Sequence, residues 1–247
     1  MSTSDLNTPQ QTQPSSHGTE DQVPEKKENA FLNILINVVA PWLILSKLSR
    51  PEMLGQFWSL ILALAMPISY GVYDFIVRKK YNVFSIIGFV STLMTGAIGL
   101  AKLDRNWMIV KETAVPLVFG MLTYFSRNTT WAIVPAFLGQ ALDLPKIKEA
   151  FIQNQKEDKY DYFIGFATMS LSLSFLLSAI LNFGLAAYIL EGEPGTVKFN
   201  ESLGNMTGLS FPVIVGPMMI VMGLIFVRMF KILKEHAGLE VEEFIKK

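Results

Sequence analysis

Three ionisable side chains, Asp74, Lys111 and Glu112, lie inside long apolar segments of this 247-residue chain. Charges within hydrocarbon are costly, so they mark solute or proton pathways unless a structural partner explains them. Asp74 stands four residues before Arg78, which predicts an ion pair near the lipid headgroups. Lys111 lies near enough to one end of its segment to extend toward the headgroups. Around a helix, the Glu112 side chain points about 100° away from that of Lys111. It has no obvious partner, so functional and structural roles both stay open.

A second set of polar side chains recurs every fourth residue in the fifth apolar segment. It comprises Ser170, Ser174, Ser178 and Asn182. Residues four apart lie on one face of a helix, so these side chains form one polar stripe. They either bond to neighbouring helices and to carbonyls of their own helix, or form the wall of a hydrated pathway. The sequence leaves both interpretations open.

Small residues follow spacings of three and four along the third apolar segment. They are Ser85, Gly88, Thr92, Thr95, Gly96 and Gly99. Helices in lipid associate by close packing, and small residues on one face let two backbones approach each other. This pattern predicts a helix contact.

Three prolines occupy equivalent places in the even-numbered apolar segments. Pro67, Pro116 and Pro217 each stand eleven residues before an arginine. Eleven residues span about 16 Å of helix, so each proline is expected near the membrane midplane and each arginine at the surface. A proline also removes one backbone hydrogen bond, and in lipid the freed carbonyl needs another partner. The prolines therefore indicate either kinked packing helices or a hinge or solute site.

Several kinds of catalytic chemistry find no suitable residues in the apolar segments. Both histidines, His17 and His236, lie outside them, and the chain has no cysteine. This excludes disulfides, thiol catalysis and an intramembrane histidine dyad or metal site. One aspartate cannot form a catalytic pair, and no glycine-rich phosphate loop appears. We expect no enzyme activity, no cofactor, no metal and no nucleic-acid partner.

The elements that carry these residues are six apolar segments. They cover roughly 30–45, 57–77, 82–101, 107–125, 162–190 and 211–227, and they hold three of the 42 charged residues. The first is expected to continue to Leu48, with Lys47 extending to the headgroups. Each is close to the roughly 20 residues that a helix needs to cross a bilayer. The fold class expected is therefore all-α: a polytopic transmembrane helical bundle with about six spans, embedded in a lipid bilayer.

The basic residues indicate an orientation. Fifteen lysines and arginines flank one predicted side of the membrane and five flank the other. Because cytoplasmic loops carry the excess of positive charge, both termini are predicted to be cytoplasmic. No cleavable signal peptide is recognisable before the first apolar segment, which we expect to direct its own insertion.

Three regions outside the spans have distinct compositions. Residues 1–29 are rich in Ser, Thr, Gln and Pro and are expected to form a disordered cytoplasmic tail. The membrane domain covers 30–230 and includes a cytoplasmic loop, 126–161, whose apolar part 131–144 is expected to be interfacial or, alternatively, re-entrant. Residues 231–247 are expected to form a cytoplasmic amphipathic segment.

Two groups of residues resemble a known bacterial family. The run from Ala179 to Ala186 is followed by Phe199, Asn200, Leu203 and Gly204, and an earlier motif joins Lys111, Glu112 and Thr113. Both are similar to motifs of the intracellular septation protein A family, over about residues 30–230. Val110 stands where that family has a tryptophan.

This resemblance implies a bacterial inner-membrane protein with a non-enzymatic role in cell-envelope maintenance or septation. Its partners would be other envelope or division membrane proteins, and a homo-oligomer is compatible with this role. The alternative from the residues themselves is a small-solute transporter or channel. It would use the kinks at Pro67, Pro116 and Pro217 and the stripe that includes Ser174, Ser178 and Asn182. A cavity lined by these groups would favour transport.

Overall fold

The computed structural model describes residues 34–77, 83–129, 132–238 and 240–245, and this part of the chain is helical without any β-strand. The all-α prediction is confirmed for these residues. The helices are α1 (Leu35–Leu48), α2 (Gly55–Val77), α3 (Val83–Leu100), α4 (Arg105–Phe125), α5 (Ile133–Ala141), α6 (Leu144–Gln153), α7 (Glu157–Ile189), α8 (Val197–Ala237) and α9 (Val241–Phe244).

Among the described residues, four helices are long and apolar enough to cross a membrane. Their candidate spans are Gly55–Tyr73, Arg105–Asn128, Glu157–Ile189 and Val197–Ala237. Two shorter apolar helices, Leu35–Leu48 and Phe89–Leu100, correspond to the first and third predicted segments. The chain therefore has the helices of an integral membrane protein, while the count of six spans and the orientation stay predictions.

Helix α8 is much longer than the sixth apolar segment, which hydropathy places at 211–227. Its 41 residues extend about 60 Å. It begins where the Thr196 side chain accepts a hydrogen bond from the Phe199 backbone amide. The backbone stays helical past Pro212 and Pro217 through one π-type turn, Phe211–Val215, in which the Gly216 amide donates to the Phe211 carbonyl. Hydropathy misses the first half of α8 because this half contains polar residues, of which Asn200 and Ser202 are buried against protein.

The buried apolar side chains form two separate cores. The first joins α1, α2 and α3 to the start of α4, the end of α7 and the first half of α8. The second joins α5, α6 and α9 to the start of α7 and the end of α8. Helices α7 and α8 therefore connect the two cores.

The second core unites two regions that the sequence treats separately, the loop 126–161 and the C-terminal segment. The Asp143 side chain caps α6 through the Lys146 amide, and the Asp143 amide donates to the Phe244 carbonyl at 2.8 Å. Lys146 Nζ also donates to the Glu243 carbonyl at 2.6 Å, and Phe151 and Phe244 are fully buried. We call this folded unit of α5, α6, α9 and the adjoining ends of α7 and α8 the helical cap.

Candidate functional site

Helices α4 and α7 form the most extensive helix pair, and they position the candidate site. Their antiparallel arrangement is visible at both ends: Arg105 donates to the Leu190 carbonyl at 3.0 Å, and Ser172 Oγ donates to the Gly120 carbonyl at 2.9 Å. A Cβ at Gly120 would lie 3.2 Å from the Phe175 Cβ. This close approach holds the middle of α4 against the polar stripe of α7.

Lys111 does not extend to the headgroups, as the sequence predicts, but turns into the protein. Its side chain is 4% exposed, and Nζ lies 2.7 Å from Glu112 Oε1 and donates to Thr95 Oγ1 at 2.8 Å. A buried ammonium needs both a counter-charge and a hydrogen-bond acceptor. Glu112 therefore has a structural partner, its own neighbour, and Thr95 ties this ion pair to α3.

Glu112 also borders a small cavity at the middle of α4. Its side chain is 23% exposed, and the cavity has a volume of about 260 Å³. We call this cavity the Glu112 crevice; it is lined by Ser91, Glu112, Val115, Pro116, Phe119, Phe175, Ser178 and Asn182. The crevice brings together one intramembrane charge, one of the prolines and half of the polar stripe, all of which the sequence singles out.

Different parts of the polar stripe of α7 fit the two interpretations, bonding within the protein and the wall of a hydrated pathway. Ser174 is buried and donates to the Ser170 carbonyl at 2.8 Å, as expected of a side chain bonded to its own helix. Asn182 Nδ2 donates to the Ser178 carbonyl at 2.8 Å, but Asn182 and Ser178 also line the crevice. Only the end of the stripe that meets α4 at Glu112 therefore borders a cavity.

Other residues that the sequence selects lie elsewhere. Thr113 Oγ1 donates to the Ile109 carbonyl at 2.8 Å and does not line the crevice. Pro67 lies inside α2, and Pro217 follows the π-type turn of α8. The side chains of Asp74 and Arg78 lie outside the described residues, so their ion pair stays a prediction.

The motif around Phe199, Asn200 and Gly204 holds helices together. Asn200 is fully buried, and its Nδ2 donates to the Gln56 carbonyl at 2.7 Å. A Cβ at Gly204 would lie 2.8 Å from the Leu45 Cβ, so the glycine lets α1 and α8 touch. Phe199 is fully buried in the first core. These residues build a helix junction.

The small-residue face of α3 is confirmed as a helix contact for its described glycines. A Cβ at Gly96 would lie 3.1 Å from Leu64 Cδ1, and one at Gly99 would lie 2.6 Å from Leu60 Cδ2. Thr95, on the same face, has a second role that sequence reasoning misses, because it binds Lys111. In the sequence, Thr95 stands out only as a residue with a hydroxyl group among small residues. Ser91, which lines the crevice, has no stronger sequence feature.

The crevice carries side chains that can form hydrogen bonds with a small solute. The Glu112 carboxylate and the Ser178 and Asn182 oxygens can accept hydrogen bonds from a small polar solute. Within the described ranges no group of three or more His, Asp or Glu side chains is placed to hold a metal ion.

Comparisons with protein-family models, curated proteins and solved structures found no match.

Proposed function

We propose that this chain is a non-enzymatic integral membrane protein that binds a small polar solute in the Glu112 crevice and acts as a transporter or channel. The observation that carries the proposal is the convergence of Glu112, Pro116, Ser178 and Asn182 on one cavity level with the middle of α4. A carboxylate and a polar helix face beside a cavity are typical of solute and ion pathways. The proposed location is the bacterial inner membrane, with both termini cytoplasmic.

The charges around the crevice narrow the class of solute. Lys111 compensates Glu112, and its ammonium is held away from solvent by Thr95. A solute with a positively charged or hydrogen-bond-donating group can share the exposed part of the carboxylate, because the Glu112 side chain stays 23% exposed beside its ion pair with Lys111. The proposed class is therefore small cations, amines and other donor-bearing solutes.

The proposal requires water in the crevice, and the absence of native cysteines allows a direct test. In native membranes, Ser178→Cys and Asn182→Cys are expected to react with a small water-soluble methanethiosulfonate. Ser174→Cys is the matched control one turn away, because Ser174 is buried outside the crevice. The expected result is a labelling rate at least about tenfold higher at positions 178 and 182. Equal, slow labelling at all three positions would show a dry bundle and overturn the proposal.

A second candidate is the envelope or septation role that the resemblance implies. The helical cap favours it, because a folded unit at one end of α7 and α8 offers a partner protein an ordered surface. Its exposed side chains include Ile152 and Lys148. Two residues of the resemblance, Asn200 and Gly204, pack inside the protein and would maintain its shape rather than touch a partner.

One genetic comparison separates the two candidates. Ser178→Trp fills the crevice, whereas Ile152→Glu changes the surface of the cap. If Ser178→Trp restores growth and division of a deletion strain and Ile152→Glu does not, the envelope role is supported. The opposite pattern supports solute binding.

A further inference from the structure

A larger cavity lies away from the Glu112 crevice, between α1, the end of α7 and the first half of α8. Its volume is about 1040 Å³, and it shares no lining residue with the crevice. We call it the α1–α8 groove.

The two ends of the groove differ in chemistry. Glu191, Lys198 and Glu201 lie at one end, near the start of α8. Val38, Val39, Trp42, Phe211 and Pro212 line the other end, and Ser202 and Asn205 lie between the two ends along α8. A ligand that fills the groove must be amphiphilic, because charged residues contact one end of it and apolar side chains contact the other.

The length of the groove corresponds to one leaflet of a bilayer. Lys198 and Pro212 are fourteen residues apart on one helix, which is about 21 Å. Half of a bilayer, headgroups included, is about 20–22 Å thick. Tyr188 lines the charged end and is 85% exposed, as expected of an aromatic residue at the headgroup level. The charged end therefore lies at the interface and the apolar end near the midplane.

The charged end presents both signs to a headgroup. Lys198 Nζ lies 2.8 Å from Glu191 Oε2, and Arg50 Nε lies 3.3 Å from Glu201 Oε1. The hydrogen bond and charge of Lys198, followed by the charge of Arg105, hold the pKa of Glu191 below its usual value, so this carboxylate is ionised at neutral pH. Adjacent carboxylates and a largely exposed lysine match a headgroup that carries an ammonium and a phosphate.

The wall of the groove is shaped by a close helix contact. A Cβ at Gly208 would lie 3.1 Å from Trp42 Cδ1, so the bare glycine lets the indole lie against α8. Trp42 is partly exposed and forms an apolar wall along which an acyl chain can pack.

We propose that the α1–α8 groove binds one zwitterionic phospholipid from the leaflet at the α7–α8 loop. The phosphate pairs with Lys198, the headgroup amine with Glu191 or Glu201, and an acyl chain follows Trp42 toward Phe211. This inference is independent of solute binding in the crevice.

The test uses the full chain purified in mild detergent from membranes that contain phosphatidylethanolamine and phosphatidylglycerol, with bound lipid identified by native mass spectrometry. We expect one phosphatidylethanolamine to remain bound. Leu209→Trp narrows the groove and is expected to lower the lipid-bound fraction at least about tenfold. Leu224→Trp is the control on the same helix, since Leu224 is exposed outside the groove and its replacement should leave the lipid bound.

A second variant guards against misfolding. Lys198→Glu reverses an exposed charge and leaves the groove open, so we expect a correctly folded protein that retains phosphatidylethanolamine about tenfold less. Equal lipid retention in wild type, Leu209→Trp and Lys198→Glu would overturn the proposal by indicating annular lipid only. Preferential retention of phosphatidylglycerol, or a stable dimer without lipid that covers the groove, would also overturn it.

Discussion

The interaction of Lys111 with Glu112 and Thr95 is the most informative arrangement at the scale of single residues. The hydrogen bond from Lys111 to Thr95 connects α4 to α3, and part of the Glu112 carboxylate faces the crevice. Adjacent residues on a helix point about 100° apart, so their pairing depends on the length of the lysine side chain and on the acceptor that α3 supplies. A buried ion pair of this kind is costly to break on one side only.

Removing the ammonium alone is expected to destabilise the protein. Lys111→Met leaves Glu112 without its counter-charge, which predicts a loss of about 3 kcal/mol in the free energy of unfolding. The measurement is thermal unfolding of the purified chain, followed by tryptophan fluorescence.

The double variant Lys111→Met/Glu112→Gln is the matched control, because it removes both charges. It is expected to recover more than half of the lost stability. If single and double variants unfold at the same temperature, the ion pair does not stabilise the fold as described. A Lys111→Met protein with unchanged level and unchanged biological activity would exclude Lys111 from the functional site.

At the scale of helices, contacts between α1 and α8 and between α4 and α7 depend on glycines that allow close approach. Gly204 lies against Leu45, and Gly120 lies against Phe175. Gly223 belongs to the same helix as Gly204, but a Cβ added there would meet no atom of another helix within 4 Å. Gly204 and Gly223 therefore differ in what surrounds them.

Alanine substitutions at these glycines are expected to have opposite effects. Gly223→Ala should stabilise the helix by up to about 1 kcal/mol, because alanine has the higher helix propensity. Gly204→Ala should lower the free energy of unfolding by about 1–3 kcal/mol, because its methyl group meets the Leu45 Cβ and the Ser46 amide. Thermal unfolding of both variants beside wild type measures the difference. Equal effects of the same sign would contradict the described α1–α8 contact.

The helical cap also depends on one short element. Phe244 is fully buried, with its ring centre 5.5 Å from that of Phe230, whereas Ile245 is exposed. Phe244→Ala is expected to destabilise the cap by about 3 kcal/mol, because it leaves a cavity in the second core. Limited proteolysis should then cut within 126–161 at lower protease concentration. Ile245→Ala, the neighbouring control, should behave as wild type; equal protection of both variants would argue against docking of α9.

At the scale of the whole molecule, two cores lie at different positions along α7 and α8. The first core surrounds the junction of α1, α2 and α8, and the second forms the cap. Both α7 and α8 exceed the length needed to cross about 30 Å of hydrocarbon. One end of each can therefore belong to the bundle while the other end builds the cap.

The orientation of this assembly is predicted from the distribution of its basic residues. A reporter that is active only in the cytoplasm should be active when it is fused after Lys247, and a periplasmic reporter at the same position should be inactive. A fusion within the α7–α8 loop, at Gly195, should give the reverse pattern. Periplasmic activity after Lys247 would overturn the predicted topology and place the cap on the other side of the membrane.

The sequence predicted which apolar segments form helices and roughly where these lie, because an apolar segment of membrane length is a local property of composition. The paired roles of Lys111, Glu112 and Thr95 were not, since Thr95 comes sixteen residues before Lys111 and meets it only when α3 packs on α4. The helical half of α8 before residue 211 was missed for a related reason. It contains polar residues such as Asn200, which is buried and whose Nδ2 donates to the Gln56 carbonyl of α2.

Hydrophobic segment length and charge exclusion act within each helix, so the sequence alone predicts a set of apolar helices with few internal charges. It also singles out Glu112, Pro116, Ser178 and Asn182. The packing of the helices brings these four residues to one crevice, leaves Ser174 outside it and turns Lys111 inward. Those outcomes depend on which helices touch, and the contacts are set by close packing between residues that are distant in the chain.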